Sequence, residues 1–190
     1  KVAFTLDNDT QKSVTFTHQG SIPTNPQDPT SAKKYTSYGG ALYLDEGAIV
    51  STVINGTEIE HELRNALFDN NEAENGGALA NVGANLTVKN TLFDSNKATT
   101  AGGAAYIKAT TQFYLTNDYN FVNNIVEPEV ADPDNPKGLG GAIFNTTNTT
   151  VTTGEDTMVD GFVGNKASYA GGAIAHLPAD KNADPMTIKG

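Results

Sequence analysis

The 190-residue chain is long enough for one domain with a continuous core, and its 37% hydrophobic content lies below that of an ordinary globular enzyme but above disorder. Its 22 acidic and 12 basic residues are spread along the chain and leave a net charge of -10, which excludes a basic footprint for nucleic acid or an anionic membrane. The lack of cysteine removes disulfide frameworks, thiol nucleophiles and cysteine zinc sites, while 20 Asn, 24 Thr and 19 Gly favour turns, extended strands and polar ladders, hence a mainly β fold.

In chain order, Val2, Phe4 and Leu6 alternate as on a predicted strand. A first insertion at about 20–37, carrying Pro23, Pro26, Pro29, Lys33 and Lys34, leads to Gly39-Gly40-Ala41-Leu42. A second insertion covers about 45–60. Beyond it, Ile59, Leu63 and Leu67 at i, i+4 and i+8 would suit a helix face. Strands win, because Asn65-Ala66-Leu67-Phe68-Asp69-Asn70-Asn71 aligns without gaps on Asn90-Thr91-Leu92-Phe93-Asp94-Ser95-Asn96, and Leu86-Thr87-Val88-Lys89-Asn90 upstream alternates with period two.

Two motifs recur in alternation. Gly-Gly-Ala begins at Gly39, Gly76, Gly102, Gly140 and Gly171, at intervals of 37, 26, 38 and 31 residues. The copies are Gly39-Gly40-Ala41-Leu42, Gly76-Gly77-Ala78-Leu79, Gly102-Gly103-Ala104-Ala105, Gly140-Gly141-Ala142-Ile143 and Gly171-Gly172-Ala173-Ile174. Phe-x-x-Asn falls between them at Phe68 to Asn71, Phe93 to Asn96, Phe121 to Asn124 and Phe162 to Asn165. The distance from each Phe to the next Gly pair is 8, 9, 19 and 9 residues. The long interval holds a third insertion at about 126–137, with Glu127, Glu129, Asp132 and Asp134.

A Gly pair accepts φ > 0 at a tight corner, and an adjacent Ala allows a neighbouring coil to approach closely. Phe at a fixed phase is expected to stack on its counterparts above and below, and Asn three residues later to pass amide hydrogen bonds along the stack. The chain is therefore expected to form one all-β unit over 1–190, a right-handed parallel β-helix of five to six coils. Each coil of about 25 residues would hold two or three short strands. No stretch approaches the ~18 apolar residues of a membrane span, and both ends fall in mid-pattern, so the chain reads as a fragment of a longer one. Open sheet edges at the ends make end-to-end self-association an expectation.

Gly-Gly-Ala-(Leu or Ile) alternating with Phe-x-x-Asn over about 39–174 resembles the polymorphic outer membrane proteins of chlamydiae, whose repeats also occur in autotransporter passengers. The resemblance implies a β-helical passenger exported through a carboxy-terminal barrel outside these residues. It also implies an extracellular or cell-surface location, adherence to host cells, and a contribution of the repeat residues to adhesion. Two departures stand out. Ala105 replaces the aliphatic residue of the motif, and the cysteine common in chlamydial members is missing, which points to a different Gram-negative source.

Partner specificity is expected in the insertions, because loops on a rigid frame commonly carry binding residues. Lys33 and Lys34 of the first and Glu127, Glu129, Asp132 and Asp134 of the third both precede a Gly-Gly corner, so they should emerge from one edge about 14 Å apart. That edge is the candidate contact for a host cell-surface protein, a glycan or extracellular matrix. No clustered carboxylates suggest a catalytic centre. Asp69 and Asp94 occupy equivalent places but read as turn-capping or solvated residues, and His18, His61 and His176 are scattered. No cofactor is expected. A structural calcium at Asp7-Asn8-Asp9 or Asp132-Pro133-Asp134-Asn135 is a weak alternative, since neither fits a known loop pattern. The sequence favours a non-enzymatic adhesin, with a polysaccharide-degrading β-helix enzyme or a passive stalk as alternatives.

Overall fold

A computed structural model describes residues 3–7, 14–17, 21–22, 34–108, 113–115, 119–128, 137–146, 149–152, 161–178 and 186–189. Among them every regular element is a strand, and almost all pairing is parallel between coils. The fold is a parallel β-helix.

Each coil runs through four faces, not two or three strands as the sequence suggested. Face 1 follows the Gly-Gly corner and stacks Leu42–Asp45, Leu79–Val82, Ala105–Ile107, Ile143–Asn145 and Ile174–His176. Face 2 stacks Glu62–Arg64, Leu86–Lys89, Phe113–Leu115, Thr149–Thr152 and Thr187–Lys189. Face 3 holds Val14–Thr17, Ala66–Asp69, Thr91–Asp94, Tyr119–Val122 and Gly161–Val163. Face 4 holds Lys34–Tyr38, Glu72–Asn75, Lys97–Ala101, Ile125–Val126 and Lys166–Ala167.

The extra faces come from corners one or two residues long. Asn65 and Asn90, with φ of 53° and 42°, turn face 2 into face 3. Asn70, Ser95, Asn123 and Gly164, with φ between 53° and 68°, turn face 3 into face 4. Asn, Ser and Gly reach the left-handed region at lower cost than β-branched residues, so one such residue bends the chain where the sequence reads as an unbroken strand. Asn90, counted within a strand by its alternation, is a corner.

The second insertion is a hairpin rather than a loop. Ile49–Ile54 pairs in parallel with Ala3–Asp7 and antiparallel with Thr57–Glu60. Its Asn55-Gly56 turn has φ of 49° and 73°, the positive pair that a two-residue hairpin of matching twist requires. The Thr52 hydroxyl donates to the Glu62 carbonyl at 2.8 Å and ties the hairpin to face 2. Ser21–Ile22 adds an antiparallel strand beside Lys34–Tyr38, which covers that edge of face 4.

Inward side chains form one continuous core that includes Leu63, Leu79, Phe93, Phe113 and Ile143. Alternation sets it: Ala66, Phe68, Leu86, Val88, Thr91 and Phe93 are buried while Leu67, Asp69, Thr87, Lys89, Leu92 and Asp94 are less so. Ala105 pairs between Leu79 and Ile143 and is fully buried. The same coil carries Phe113 where the coil before has Leu86, so volume lost at the departing motif residue is regained on the next face.

Candidate functional site

The repeat residues lie inside the coil or on its corners. Phe68, Phe93 and Phe121 are 0% exposed and stack at centroid separations of 4.7 and 4.6 Å, with planes within 4° and 2° of parallel. The column continues to Phe162 at 5.0 Å and to Phe16 at 4.8 Å. Phe16 joins this column although no Asn follows it three residues later, which is why the motif did not reveal it.

The asparagines form a second ladder. The Asn71 side-chain amide donates to Asn96 Oδ1, Asn96 to Asn124 Oδ1 and Asn124 to Asn165 Oδ1, each at 2.9 Å. Each Oδ1 also accepts the backbone N–H of the Asn below, at 2.9 to 3.0 Å. The second amide hydrogen reaches back to the carbonyl of Phe16, Phe68, Phe93 or Phe121. Buried polar groups are thereby satisfied from both sides, and only Asn offers one acceptor and two donors on so short a side chain.

The two glycines of each corner have separate tasks. Gly39, Gly76, Gly102, Gly140 and Gly171 have φ between 54° and 67°, whereas their partners do not. A Cβ on Gly40, Gly77, Gly103 or Gly141 would stand 2.0 to 2.2 Å from the carbonyl oxygen of the equivalent glycine in the next coil. Close approach thus depends on the second glycine. Ala78, Ala104 and Ala142, to which the sequence assigned it, fill the core.

Of the candidate loop residues, Lys33, Glu129, Asp132 and Asp134 lie outside the described residues, as do His18 and most of both calcium candidates. Lys34 opens the face 4 strand Lys34–Tyr38, and Glu127 follows Ile125–Val126 of the same face. These strands are three steps apart in the sheet, roughly 14 Å at the usual strand spacing. The described ends of the two insertions, Lys34 and Glu127, thus both lie at face 4. Glu127 pairs with Lys97 Nζ at 2.8 Å, and that hydrogen bond and charge hold its carboxyl below the ordinary glutamate range.

The carboxylates on the other faces have local partners. Asp69 accepts from Asn70 and from the Thr17 hydroxyl, and Asp94 accepts from the Ser95 hydroxyl at 2.8 Å. Each carboxylate thus bonds to the side chain of the neighbouring corner residue. Glu62, 5% exposed, pairs with Arg64 at 2.8 Å and Lys89 at 2.9 Å. His176 Nδ1 lies 3.3 Å from the Asn145 amide, and His61 forms a corner at φ 59°. Among the described residues no group of three or more His, Asp or Glu is placed to hold a metal ion.

An outward aromatic column on face 1 escaped the sequence reading. Tyr43, Ala80, Tyr106, Phe144 and Ala175 are in register on the side of face 1 away from the main core, and all but the exposed Tyr43 are buried in a second hydrophobic cluster with Ala101, Val82 and Leu139. Tyr106 stacks on Phe144 at 5.2 Å, and Tyr38 from face 4 contacts both Tyr43 and Tyr106. The signal was present: the second residue after Gly-Gly-Ala is aromatic in three of the five copies. Beside Tyr43 opens a groove of about 1030 Å³ lined by Asp45, Glu46, His61, Gly83 and Asn85 among others.

Residues 90–108, from the corner Asn90 through Phe93 and Asn96 to the Gly102-Gly103 corner, match the family description of the Chlamydia polymorphic membrane protein repeat. The match spans 19 of the 190 residues. The match runs along face 3, face 4 and the start of face 1, so the family pattern and the Phe, Asn and Gly columns describe the same residues. No curated protein and no solved structure matches the chain. No helix of the described residues is long and apolar enough to cross a membrane, which says nothing about a β-barrel.

Proposed function

We propose that the chain is a non-enzymatic passenger module, displayed at a bacterial surface, that adheres to host cells or extracellular matrix through its lateral faces. The observation that supports this reading most is the division of labour in the polymorphic membrane protein repeat. Its Phe, Asn and Gly residues are committed to inter-coil contacts, so contact with a partner falls to the outward residues and to the insertions leaving face 4. No cofactor is needed for that role.

The test is binding of the purified chain to cultured epithelial cells and to immobilised matrix proteins over a concentration series. Saturable binding, lost on thermal unfolding, is expected. Binding that rises linearly without saturation, or release of oligosaccharide from a polysaccharide panel, would overturn the proposal.

A further inference from the structure

The adhesive reading leaves the chemistry of the partner open, and the corner between faces 4 and 1 narrows it. Tyr38 and Tyr43, 40% and 47% exposed, lie 5.9 Å apart with planes inclined by 37°. Behind them Tyr106, 8% exposed, is 5.7 Å from Tyr38. The three rings come from three strands in two neighbouring sheets, so their placement is set by paired backbone rather than by a loop. Rings held in this way lose little freedom when a ligand arrives.

The groove beside Tyr43 has an apolar floor with an acidic and amide rim. Leu42, Leu44, Ala48 and Ile49 line it together with Asp45, Glu46, His61 and Asn85, and among the described residues no lysine or arginine does. Its volume of about 1030 Å³ gives room for a short oligosaccharide. Burial first, then Asp45 and Tyr38, raises the Tyr43 phenol above its ordinary pKa. Burial and Tyr38 do the same for Tyr106.

Candidate ligands differ in how they meet this combination. An apolar peptide would use the rings but bury the carboxylates unpaired, which is costly. A sulfated or sialylated glycan would bring negative charge to two carboxylates on a chain of net charge -10. A neutral sugar satisfies both: its C–H face packs on an aromatic ring while its hydroxyls donate to carboxylate and amide oxygens.

Resting on the adhesive reading, we propose that Tyr38, Tyr43 and the adjoining groove bind a neutral glycan, with a pyranose ring against the tyrosines and Asp45, Glu46 and Asn85 taking its hydroxyls. The test titrates the chain with chitotriose, cellotriose and N-acetyllactosamine, with a heparin oligosaccharide as the anionic contrast, by calorimetry. Binding of a neutral oligosaccharide, weakened at least tenfold by Tyr43→Ala and by Tyr38→Ala but largely kept by Tyr43→Phe, is expected. Unchanged melting curves would show that the variants remain folded. No binding across the neutral panel, binding of heparin alone, or affinity untouched by both alanine substitutions would overturn the inference. The same variants on cells separate the two proposals. If the parent adheres saturably and the Tyr38→Ala/Tyr43→Ala double variant adheres equally well, the glycan site is wrong and the adhesive reading stands.

Discussion

At the residue scale, the repeat is a set of positions where one chemistry alone fits. The second glycine of each corner leaves no room for a Cβ, because the next coil's carbonyl would lie 2.2 Å from it at Gly77. Gly77→Ala is expected to cost about 1–3 kcal/mol or more, as overpacked sites do, in urea denaturation. Gly172→Ala, whose Cβ would meet only the Asn165 carbonyl oxygen at 3.6 Å among the described residues, should change stability by less than about 0.5 kcal/mol in the 190-residue chain. Equal effects at the two sites would contradict the role given to the second glycine. Asn96→Leu keeps the branched skeleton, with bulkier methyls, but strips the Asn71 N–H and the Phe68 carbonyl of a buried partner. A loss of about 1–3 kcal/mol for each group left unpaired is expected from the same measurement. These positions were legible in the sequence because a buried stack repeats its residue types as well as its pattern. Phe16 was missed because its rung lacks the Asn that marks the others.

At the element scale, legibility falls off. Short strands end at single left-handed residues, and Asn65 or Asn90 carries no mark in the sequence that separates a corner from a polar strand position. Four faces were therefore read as two or three. The Asn55-Gly56 turn was a stronger cue, a hairpin signal between apolar runs, yet its place in a stretch read as an insertion hid it. The outward tyrosines were overlooked for a related reason: attention to what repeats favours the inward residues, and the outer column is broken by Ala80 and Ala175. Elements of face 4 are also joined by an exposed ion pair. Glu127 has its pKa depressed by Lys97, so the pair's contribution to stability is present above the ordinary glutamate range and lost as pH falls through the depressed folded value. Any advantage in melting temperature of the parent over Glu127→Gln at neutral pH should therefore close on acidification, and salt should reduce it. A difference that grows at low pH would contradict the pairing.

At the scale of the whole molecule, columns of Phe, Asn and Gly run through successive coils, so each rung depends on its neighbours. Stability in such a stack is carried by nearest-neighbour contacts, and a defect in a middle rung weakens the coils on both sides. This architecture leaves the lateral faces free to vary without disturbing the core, which suits a module whose scaffold repeats while its surface differs from coil to coil. In the proposed adhesive role the repeat builds the rod and leaves contact with a partner to other residues. Phe93→Ala tests it most directly, when unfolding free energy and cell binding are measured on the same protein at a temperature where it remains folded. A loss of about 3–5 kcal/mol in stability with the parent's affinity for cells is expected, and unchanged stability with lost binding would contradict the claim.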